Sequence, residues 1–515
     1  MDRLDESQIR GRSRPDRARP RRRRPSAGLW VQRLRLCRRG GRPAAALGVS
    51  ASPNPASTAA EDRDDYNPTS RRILRFSLSA LVVLVAEPLY LMLDLAVVGR
   101  LGGLDLAALG VGVLVLSVVS TQLTFLSYGT TARSAQKFGR GDRAGAVAEG
   151  VQASWIALGV GAVIVVVVGV CAPWILAALT GGGEVAAETT TWLRIAVWGV
   201  PLILLSMAGN GWMRGVQDTR RPIIYVVVGL GVSAVLCPVL VHGLLGAPML
   251  GLEGSAISNV VGQSIAGILF AVRVWRDSAQ YPAAGGSRPQ WPIIRGQLVL
   301  GRDLIVRSLS FQICFLSAAA VASRFGVAAV ASHQLVLQLW NFVALLLDSF
   351  AIAAQALVGA ALGAGAVPAA WRVTKRVTVW SLSVSIGLAA IFAAGYVVIP
   401  KVFTGDAEVL RAVATPWWFF VAMLPIAGIV FALDGVLLGS ADAAFLRTAT
   451  LVSALVGFLP MIWCSLLFDW GLAGIWSGLI LFMVLRLITV SWRIRSEKWT
   501  TVANPVRNEA AAQGL

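Results

Sequence analysis

Residues 155–172 read WIALGVGAVIVVVVGVCA, a run of eighteen residues without a charged side chain. As a helix, this run is about 27 Å long, close to the ~30 Å thickness of the hydrocarbon layer of a bilayer. Comparable apolar runs recur between Ile73 and Arg495, and they lack the alternation typical of a transmembrane barrel. Because a bilayer satisfies no backbone hydrogen bonds, the runs must be helices. The sequence therefore predicts an all-α integral membrane protein.

The composition of the 515-residue chain supports this prediction and excludes several classes of protein. Only 14% of the residues are charged, against about a quarter in soluble globular domains. The five cysteines form no C-x-x-C pair and there are two histidines, so neither a disulfide framework nor a metal site is predicted. The sequence contains no P-loop and no Ser–His or Asp–Asp catalytic motif. We therefore expect no enzyme activity, and no cofactor beyond a coupling ion.

The segment 1–70 differs in composition from the rest of the chain. It contains 16 Arg and 8 Asp or Glu residues, which supply +8 of the formal net charge of +19. One interpretation is a polybasic segment held against anionic cytoplasmic lipid. Another is a disordered extension, or a start codon assigned too far upstream. An RNA-binding arm would need aromatic residues between its arginines, and these are missing apart from Trp30, so no nucleic-acid partner is expected.

Basic residues indicate how the predicted helices are oriented. Arg and Lys cluster before the first helix, after the even-numbered helices and around the connection between the sixth and seventh. By the positive-inside rule both termini are cytoplasmic, and we expect a multi-pass protein of the bacterial inner (plasma) membrane. The predicted spans are 72–99, 105–137, 145–171, 186–213, 222–243, 251–274, 296–324, 328–361, 369–398, 408–437, 444–468 and 471–494.

The two halves of the chain resemble each other. When the first half is shifted by 224 residues, which we call the repeat shift, several short segments coincide. They are Gly99-Arg100-Leu101-Gly102 with Ser323-Arg324-Phe325-Gly326, Val200-Pro201 with Leu424-Pro425, and Asn210-Gly211 with Asp434-Gly435. Each half holds six helices and begins on the cytoplasmic side, so we predict two parallel six-helix lobes with substrate between them. The predicted domains are a disordered basic extension (1–70), an N-terminal lobe (71–275), a cytoplasmic linker (276–294), a C-terminal lobe (295–495) and a tail (496–515).

Three stretches of the sequence resemble one family of transporters. They are Glu87-Pro88-Leu89 with Asp94-Leu95-Ala96-Val97-Val98-Gly99-Arg100-Leu101-Gly102 in the first helix, residues 347–363 in the eighth, and Asp434-Gly435-Val436-Leu437-Leu438-Gly439 in the tenth. Together they are similar to the multidrug and toxic compound extrusion (MATE) transporters, DinF-like branch, over about residues 71–495. The resemblance implies a V-shaped twelve-helix fold and export of organic, often cationic, compounds against a gradient of H⁺ or Na⁺.

Two acidic residues lie within the apolar run of the first predicted helix. Glu87 and Asp94 are seven residues apart, which places them on one side of a helix about 10 Å from each other, and Pro88 between them is expected to kink it. Ionisable groups inside a bilayer are costly and mark functional sites, and a carboxyl away from water favours its neutral form. We predict that Asp94 and Glu87 couple transport to protons or cations, a role that the resemblance also implies for Asp94. The alternative is that each pairs with an intramembrane arginine such as Arg307.

Polar residues form one stripe along the eighth predicted helix. Gln334, Gln338, Asn341, Asp348 and Gln355 follow each other at steps of 4, 3, 7 and 7 along the sequence, which keeps them on one face. Two interpretations stay open. In one, the stripe lines a substrate cavity, to which we also assign Gln122, Asn210 and Asp434. In the other, it holds helices together, with Arg307 as the structural ion-pair partner of Asp348.

The fifth predicted helix departs from the pattern of the family. Where the family often has Asn-x-x-Leu-Asp-Pro, this chain has Ser233-Ala234-Val235-Leu236-Cys237-Pro238. A carboxylate partner for Asp94 is therefore missing from this helix. The coupling role falls on the first helix, and the choice between H⁺ and Na⁺ stays open.

The main functional prediction is secondary antiport. A monomer surrounded by membrane lipid exports small organic, cationic compounds in exchange for H⁺ or Na⁺. The nearest alternative is a lipid-linked flippase of the same superfamily, which would need a cationic cavity for a pyrophosphate, whereas the candidate cavity residues are acidic and amide. A major-facilitator transporter is a second alternative, because Gly139-Arg140-Gly141-Asp142-Arg143 loosely matches its 2–3 loop, although Gly363-Ala364-Gly365 lacks the equivalent charges.

Overall fold

The computed structural model describes residues 69–283 and 285–502. The predicted extension, except for its last two residues, and the tail from residue 503 onward lie outside the described residues. Within the described ranges, twelve helices are long and apolar enough to cross a membrane. They are α1 (Ser70–Val98), α2 (Gly103–Gly139), α3 (Arg143–Thr180), α4 (Glu184–Gly215), α5 (Arg220–His242), α6 (Gly251–Gln280), α7 (Trp291–Phe325), α8 (Val327–Gly363), α9 (Val367–Ala394), α10 (Ala414–Gly439), α11 (Ala443–Leu467) and α12 (Gly471–Arg495).

Prolines explain two irregular segments within these helices. A turn of 3₁₀ helix at Val197–Gly199 precedes Pro201 in α4, and a π-helical turn at Ser453–Phe458 precedes Pro460 in α11. Proline lacks a backbone N–H and its ring displaces the preceding turn, so the hydrogen-bond pattern must change there. Ahead of α10, the start of the predicted span instead forms a separate short helix, Ala407–Ala412.

The turns of the two halves share their backbone geometry. Gly141 after α2 and Gly365 after α8 have φ angles of 78° and 70°, in the left-handed region that glycine adopts without a steric cost. Gln217 after α4 and Ala441 after α10 form a second pair, with φ angles of 65° and 63°. The repeat shift relates the members of both pairs. The repeat read from side chains therefore extends to the backbone.

The inner helices α2 and α8 cross in close contact near their C-terminal ends. A Cβ atom added to Gly139 would lie 1.9 Å from the carbonyl oxygen of Ala360, and one added to Gly363 would lie 2.0 Å from that of Gln136. The two contacts are reciprocal under the repeat shift. Only glycine permits so close an approach, so the lobes touch at this end of the molecule.

Helix α8 occupies the centre of the fold. It packs against α1 and α2 of the first half and against α9 and α10 of its own half. Along its polar stripe, Gln334 is exposed, Asp348 is half-buried and Gln355 is buried. The cleft between the lobes is therefore open near the start of α8 and closed near its end.

Candidate transport site

A cavity of about 410 Å³ lies within the first lobe and against α8. Helices α1, α2, α4, α5 and α6 bound it, and Leu345 and Ile352 of α8 form part of its wall. At Thr124, which also lines the cavity, the hydrogen-bond pattern of α2 is interrupted. The larger polar side chains that line it include Glu87, Tyr128, Asn210, Arg214, Asn259 and Gln263. Its volume suits small organic molecules, whose pockets measure roughly 300–1,000 Å³.

Asp94 is buried where α1 packs against α5 and α6, and its residue surface is 1% exposed. Ser255 Oγ donates to its Oδ2 at 2.9 Å, and Cys237 Sγ donates to its Oδ1 at 3.2 Å. Both donors are neutral, and none of the ion pairs in the described part of the chain includes Asp94. A buried, uncompensated charge is strongly destabilising. The carboxyl group is therefore most stable when a proton or a small cation neutralises it.

The surroundings of Asp94 explain the departure seen in the fifth predicted helix. Cys237 stands at the aspartate position of the family pattern and contacts Asp94 directly. The position therefore lacks a carboxylate, as the sequence predicts, but it supplies a neutral hydrogen-bond donor to Asp94. Trp192 Nε1 in turn donates to Ser255 Oγ at 3.3 Å, and the Trp192 side chain lines the cavity. A chain of hydrogen bonds thus joins Asp94 to the cavity wall.

Glu87 differs from Asp94 although both belong to α1. Its side chain is exposed towards the cavity, where Gln263 Nε2 donates to Oε2 at 3.2 Å. Helix α1 continues through Pro88 from Ser70 to Val98. Neither acid pairs with Arg307, which contacts Asp434 instead. Glu87 thus lines the cavity, whereas Asp94 is buried behind the cavity wall.

In the second lobe, Asp434 lies between two arginines. Arg307 Nη2 contacts its Oδ2 at 2.7 Å, and Arg486 donates to the same oxygen. Arg486 is 1% exposed, and its guanidinium carbon lies 5.1 Å from the ring centroid of Phe311, within the range of a cation–π interaction. The sequence analysis missed Arg486, although a single arginine within the apolar run of α12 was a usable signal.

A hydrogen bond links the lobes at the level of Asp348. Tyr128 of α2 donates its hydroxyl hydrogen to Asp348 Oδ2, and Gln355 Nε2 donates to the backbone carbonyl of Tyr128 at 2.6 Å. The proposed pairing of Asp348 with Arg307 is therefore wrong in this structure. Asp348 lines a second cavity, of about 220 Å³, together with Arg307 and Asp434. Gln355 joins helices rather than facing either cavity.

Of the remaining predicted cavity residues, one lines the first cavity and the other four line neither of the two cavities. Asn210 lines the first cavity. Gln334, Gln338 and Asn341 are exposed near the start of α8 and line neither cavity described above, although Asn341 donates to Gln338 at 3.4 Å. The side-chain amide of Gln122 is buried and has no hydrogen-bond partner in the described ranges.

Arg214 is the clearest site residue that sequence reasoning misplaced. The charge pattern assigned it to a cytoplasmic connection, but α4 extends to Gly215 and Arg214 lies in its last turn. The residue is 8% exposed, and it lines the first cavity one turn from Asn210. Among the described residues it forms no ion pair and no side-chain hydrogen bond. The four-residue spacing from Asn210 was the signal that could have identified it.

Buried charges also hold the closed end of the cleft. Glu149 of α3 is fully buried and accepts from Arg133 at 2.8 Å, from Lys137 at 2.9 Å and from Gln297 at 2.7 Å. Arg133 and Lys137 belong to α2, whereas Gln297 belongs to α7 of the second lobe. This network therefore ties the two lobes together near the crossing of α2 and α8.

Twelve membrane-spanning helices in two repeated lobes, with buried charges beside a cavity, define a membrane transporter. The profile of the MatE family matches residues 80–239 and 304–463, two stretches that the repeat shift places on each other. The chain belongs to this family of multidrug and toxic compound extrusion transporters, as the resemblance indicated. It is a multi-pass membrane protein and not an enzyme.

Relatives and solved structures agree with this membership. Protein DETOXIFICATION 44, chloroplastic, of Arabidopsis thaliana is 29% identical over 443 residues, which cover 83% of each chain. DNA damage-inducible protein F of Escherichia coli K12 is 28% identical over 420 residues, covering 79% of this chain and 89% of that protein. A crystal structure of MATE in the bent conformation has a TM-score of 0.77 at 19% identity, covering 86% of this chain and 99% of the other. The predicted fold class is confirmed.

Proposed function

We propose that this transporter is a secondary antiporter that exports small organic compounds carrying a cationic group in exchange for protons. The observation that carries the proposal is the setting of Asp94, which is buried and held by two neutral donors. In such a setting the ionised carboxylate loses solvation free energy, whereas the protonated carboxyl group does not. Its protonation state can therefore favour one packing of α1 over another.

The donor set around Asp94 favours a proton over a sodium ion. A hard cation prefers several oxygen ligands, whereas Asp94 receives hydrogen bonds from one hydroxyl and one thiol. Both hydrogens would have to turn away before a cation could bind, and a thiol sulfur is a poor ligand for a hard ion. A proton on the carboxyl requires no such ligand set.

Glu87 and the state of the cleft suggest how the exchange proceeds. The cleft is open near the start of α8, which the predicted orientation places on the outer side of the plasma membrane, with both termini in the cytoplasm. A proton entering from that side neutralises Glu87 and weakens its attraction for a cationic group. Protonation of Asp94 then changes the contact between α1 and its neighbours. Substrate leaves outward, and the proton leaves inward after the lobes rearrange.

Two arginines line the cavities, and a flippase for lipid-linked substrates would need positive charge there. The sequence analysis rejected it because the candidate cavity residues were acidic and amide, yet Arg214 and Arg307 line the two cavities. Arg307 shares Asp434 with Arg486, so among the arginines that line these two cavities only Arg214 forms no ion pair with another described residue. One free positive charge does not balance a pyrophosphate, and antiport of a small molecule remains the better proposal.

The proposal is tested by transport in proteoliposomes with an imposed pH gradient and fluorescent compounds that carry a cationic group, with and without a carboxyl group. We expect Asp94→Asn to reduce gradient-driven flux to the level of protein-free liposomes, because an amide cannot carry the proton. Glu188→Gln is the matched control, since Glu188 is an exposed acid at the start of α4 and its loss leaves the buried site intact. Full flux in Asp94→Asn would refute the coupling role. Flux that follows a sodium gradient at equal pH would replace the proton with Na⁺.

A further inference from the structure

We propose that the exported molecule is amphoteric, with an anionic group that pairs with Arg214 and a cationic group that faces Glu87. The inference rests on the proposed function and names its substrate class. Both side chains line the same cavity of about 410 Å³. They present opposite charges to a single bound molecule.

Arg214 is buried and, among the described residues, has no ion-pair partner. Its residue surface is 8% exposed, and within the described ranges its guanidinium forms no ion pair or hydrogen bond. Ionisable groups at membrane depth are costly and normally pair with each other or with a ligand. A guanidinium presents five N–H donors in a plane that matches a carboxylate, sulfonate or phosphate group. Arg214 therefore offers an anionic group an unused set of donors inside the cavity.

The two acids that line the second cavity, Asp434 and Asp348, contact residues other than Arg214. Asp434 is shared by Arg307 and Arg486, so that cluster already has more positive than negative charge. Asp348 lies near enough to attract Arg214, but its hydrogen bond comes from Tyr128 of the other lobe. Among the described residues, neither of these two acids forms an ion pair or a hydrogen bond with Arg214.

A molecule with charges of only one sign fits this cavity poorly. A cation would be attracted by Glu87 and repelled by Arg214, whereas a dianion would be attracted by Arg214 and repelled by ionised Glu87. An amphoteric molecule satisfies both. The amides of Asn210 and Gln263, which also line the cavity, can accept and donate hydrogen bonds to its uncharged parts.

Binding to the full-length protein in detergent, followed by fluorescence anisotropy, tests this proposal. The probes are a rhodamine with a free carboxyl group, the ethyl ester of the same dye, and fluorescein, which are respectively zwitterionic, cationic and dianionic. An arginine–carboxylate pair contributes enough to shift binding by about tenfold. We expect the free acid to bind about tenfold more tightly than the ester, and fluorescein to bind more weakly than the free acid.

Variants assign the preference to the two side chains. Arg214→Gln should reduce the ratio of ester Kd to free-acid Kd to about one. Arg214→Lys keeps the charge and loses the planar donor set, so it should keep part of the ratio and serves if the glutamine variant does not fold. Glu87→Gln should narrow the gap between the free acid and fluorescein. Arg220→Gln is the matched control, because Arg220 is exposed at the start of α5, and it should retain the wild-type ratio.

The possible results separate this inference from the proposed antiport. Equal binding of acid and ester by the wild type, or a ratio that survives Arg214→Gln, would overturn the amphoteric substrate. Binding of fluorescein as tight as that of the free acid would also overturn it, since Glu87 would then play no part. Arg214-dependent preference for the free acid without proton-driven flux in liposomes would support this site and refute the antiport.

Discussion

Asn210 in α4 and Asp434 in α10 occupy equivalent positions of the two lobes under the repeat shift, but their surroundings differ. Asp434 is a carboxylate between Arg307 and Arg486. Asn210 is an amide one turn from Arg214, which has no ion-pair partner among the residues described. At these equivalent positions the second lobe therefore pairs its acid with two arginines, whereas the first lobe has an amide beside an arginine that forms no ion pair.

The same contrast extends to other equivalent positions. Under the repeat shift, Glu87 corresponds to Phe311 and Asp94 to Ala318. The two acids proposed to couple transport in the first lobe thus correspond in the second to side chains that cannot carry a proton. We expect Glu87, Asp94 and Arg214 of the first lobe to control transport, and the ion pairs of Asp434 in the second lobe to control stability.

The largest effect is expected from Asp434→Asn. This change leaves the buried Arg486 and the half-buried Arg307 without their ion-pair partner, and breaking a buried ion pair from one side costs about 3–5 kcal/mol. Asp94→Asn removes an acid that has only neutral partners, so it should change stability little. Thermal unfolding in detergent micelles measures both. Similar melting temperatures for the two variants would contradict the division between the lobes.

An intermediate effect is expected from alanine at the crossing of α2 and α8. A Cβ at Gly139 or Gly363 would collide with a backbone carbonyl of the facing helix, and such overpacking costs about 1–3 kcal/mol. Because the contacts are reciprocal, Gly139→Ala and Gly363→Ala should lower the melting temperature to a similar extent. Gly387→Ala is a matched control in α9, since its added Cβ meets nothing within 4 Å. A tolerated change at only one of the two positions would show that the crossing is asymmetric.

Much of the fold could be predicted from sequence because the bilayer leaves the backbone few choices. Apolar runs longer than a membrane is thick must form helices, and the repeat follows from residues that recur at a fixed spacing. The ends of the helices were less accessible. Helix α6 continues to Gln280, beyond the predicted boundary of the lobe, because polar residues outside the membrane can extend a helix as well as end it.

The candidate site could be predicted only where its residues carry charge in an apolar run. Glu87 and Asp94 gave that signal, whereas Ser255 and Cys237, which hold Asp94, are small residues common in membrane helices. Pairing across helices is a property of the tertiary structure, so the sequence could not show that Arg307 binds Asp434 rather than Asp348. Arg214 was misplaced because the positive-inside rule counts basic residues near helix ends without knowing their depth.

The smallest change in stability is expected from Asn210→Asp, which gives the first lobe the acid found in the second. The new carboxylate would lie one helical turn from Arg214, and a pair at this spacing contributes up to about 0.5 kcal/mol. In the described part of the chain Asn210 forms no side-chain hydrogen bond, and its Oδ1 atom is buried without a partner, so replacing the amide nitrogen breaks no existing hydrogen bond. The melting temperature should therefore change little.

The same variant should nevertheless lower the preference for the free-acid rhodamine over its ester, because Arg214 would already be paired. Asn210→Ser removes the amide without adding charge, and it should retain most of that preference. Thermal unfolding and dye binding on one preparation provide both measurements. A large loss of stability in Asn210→Asp would mean that the acid cannot reach Arg214, and the two lobes would then differ in backbone geometry as well as in charge.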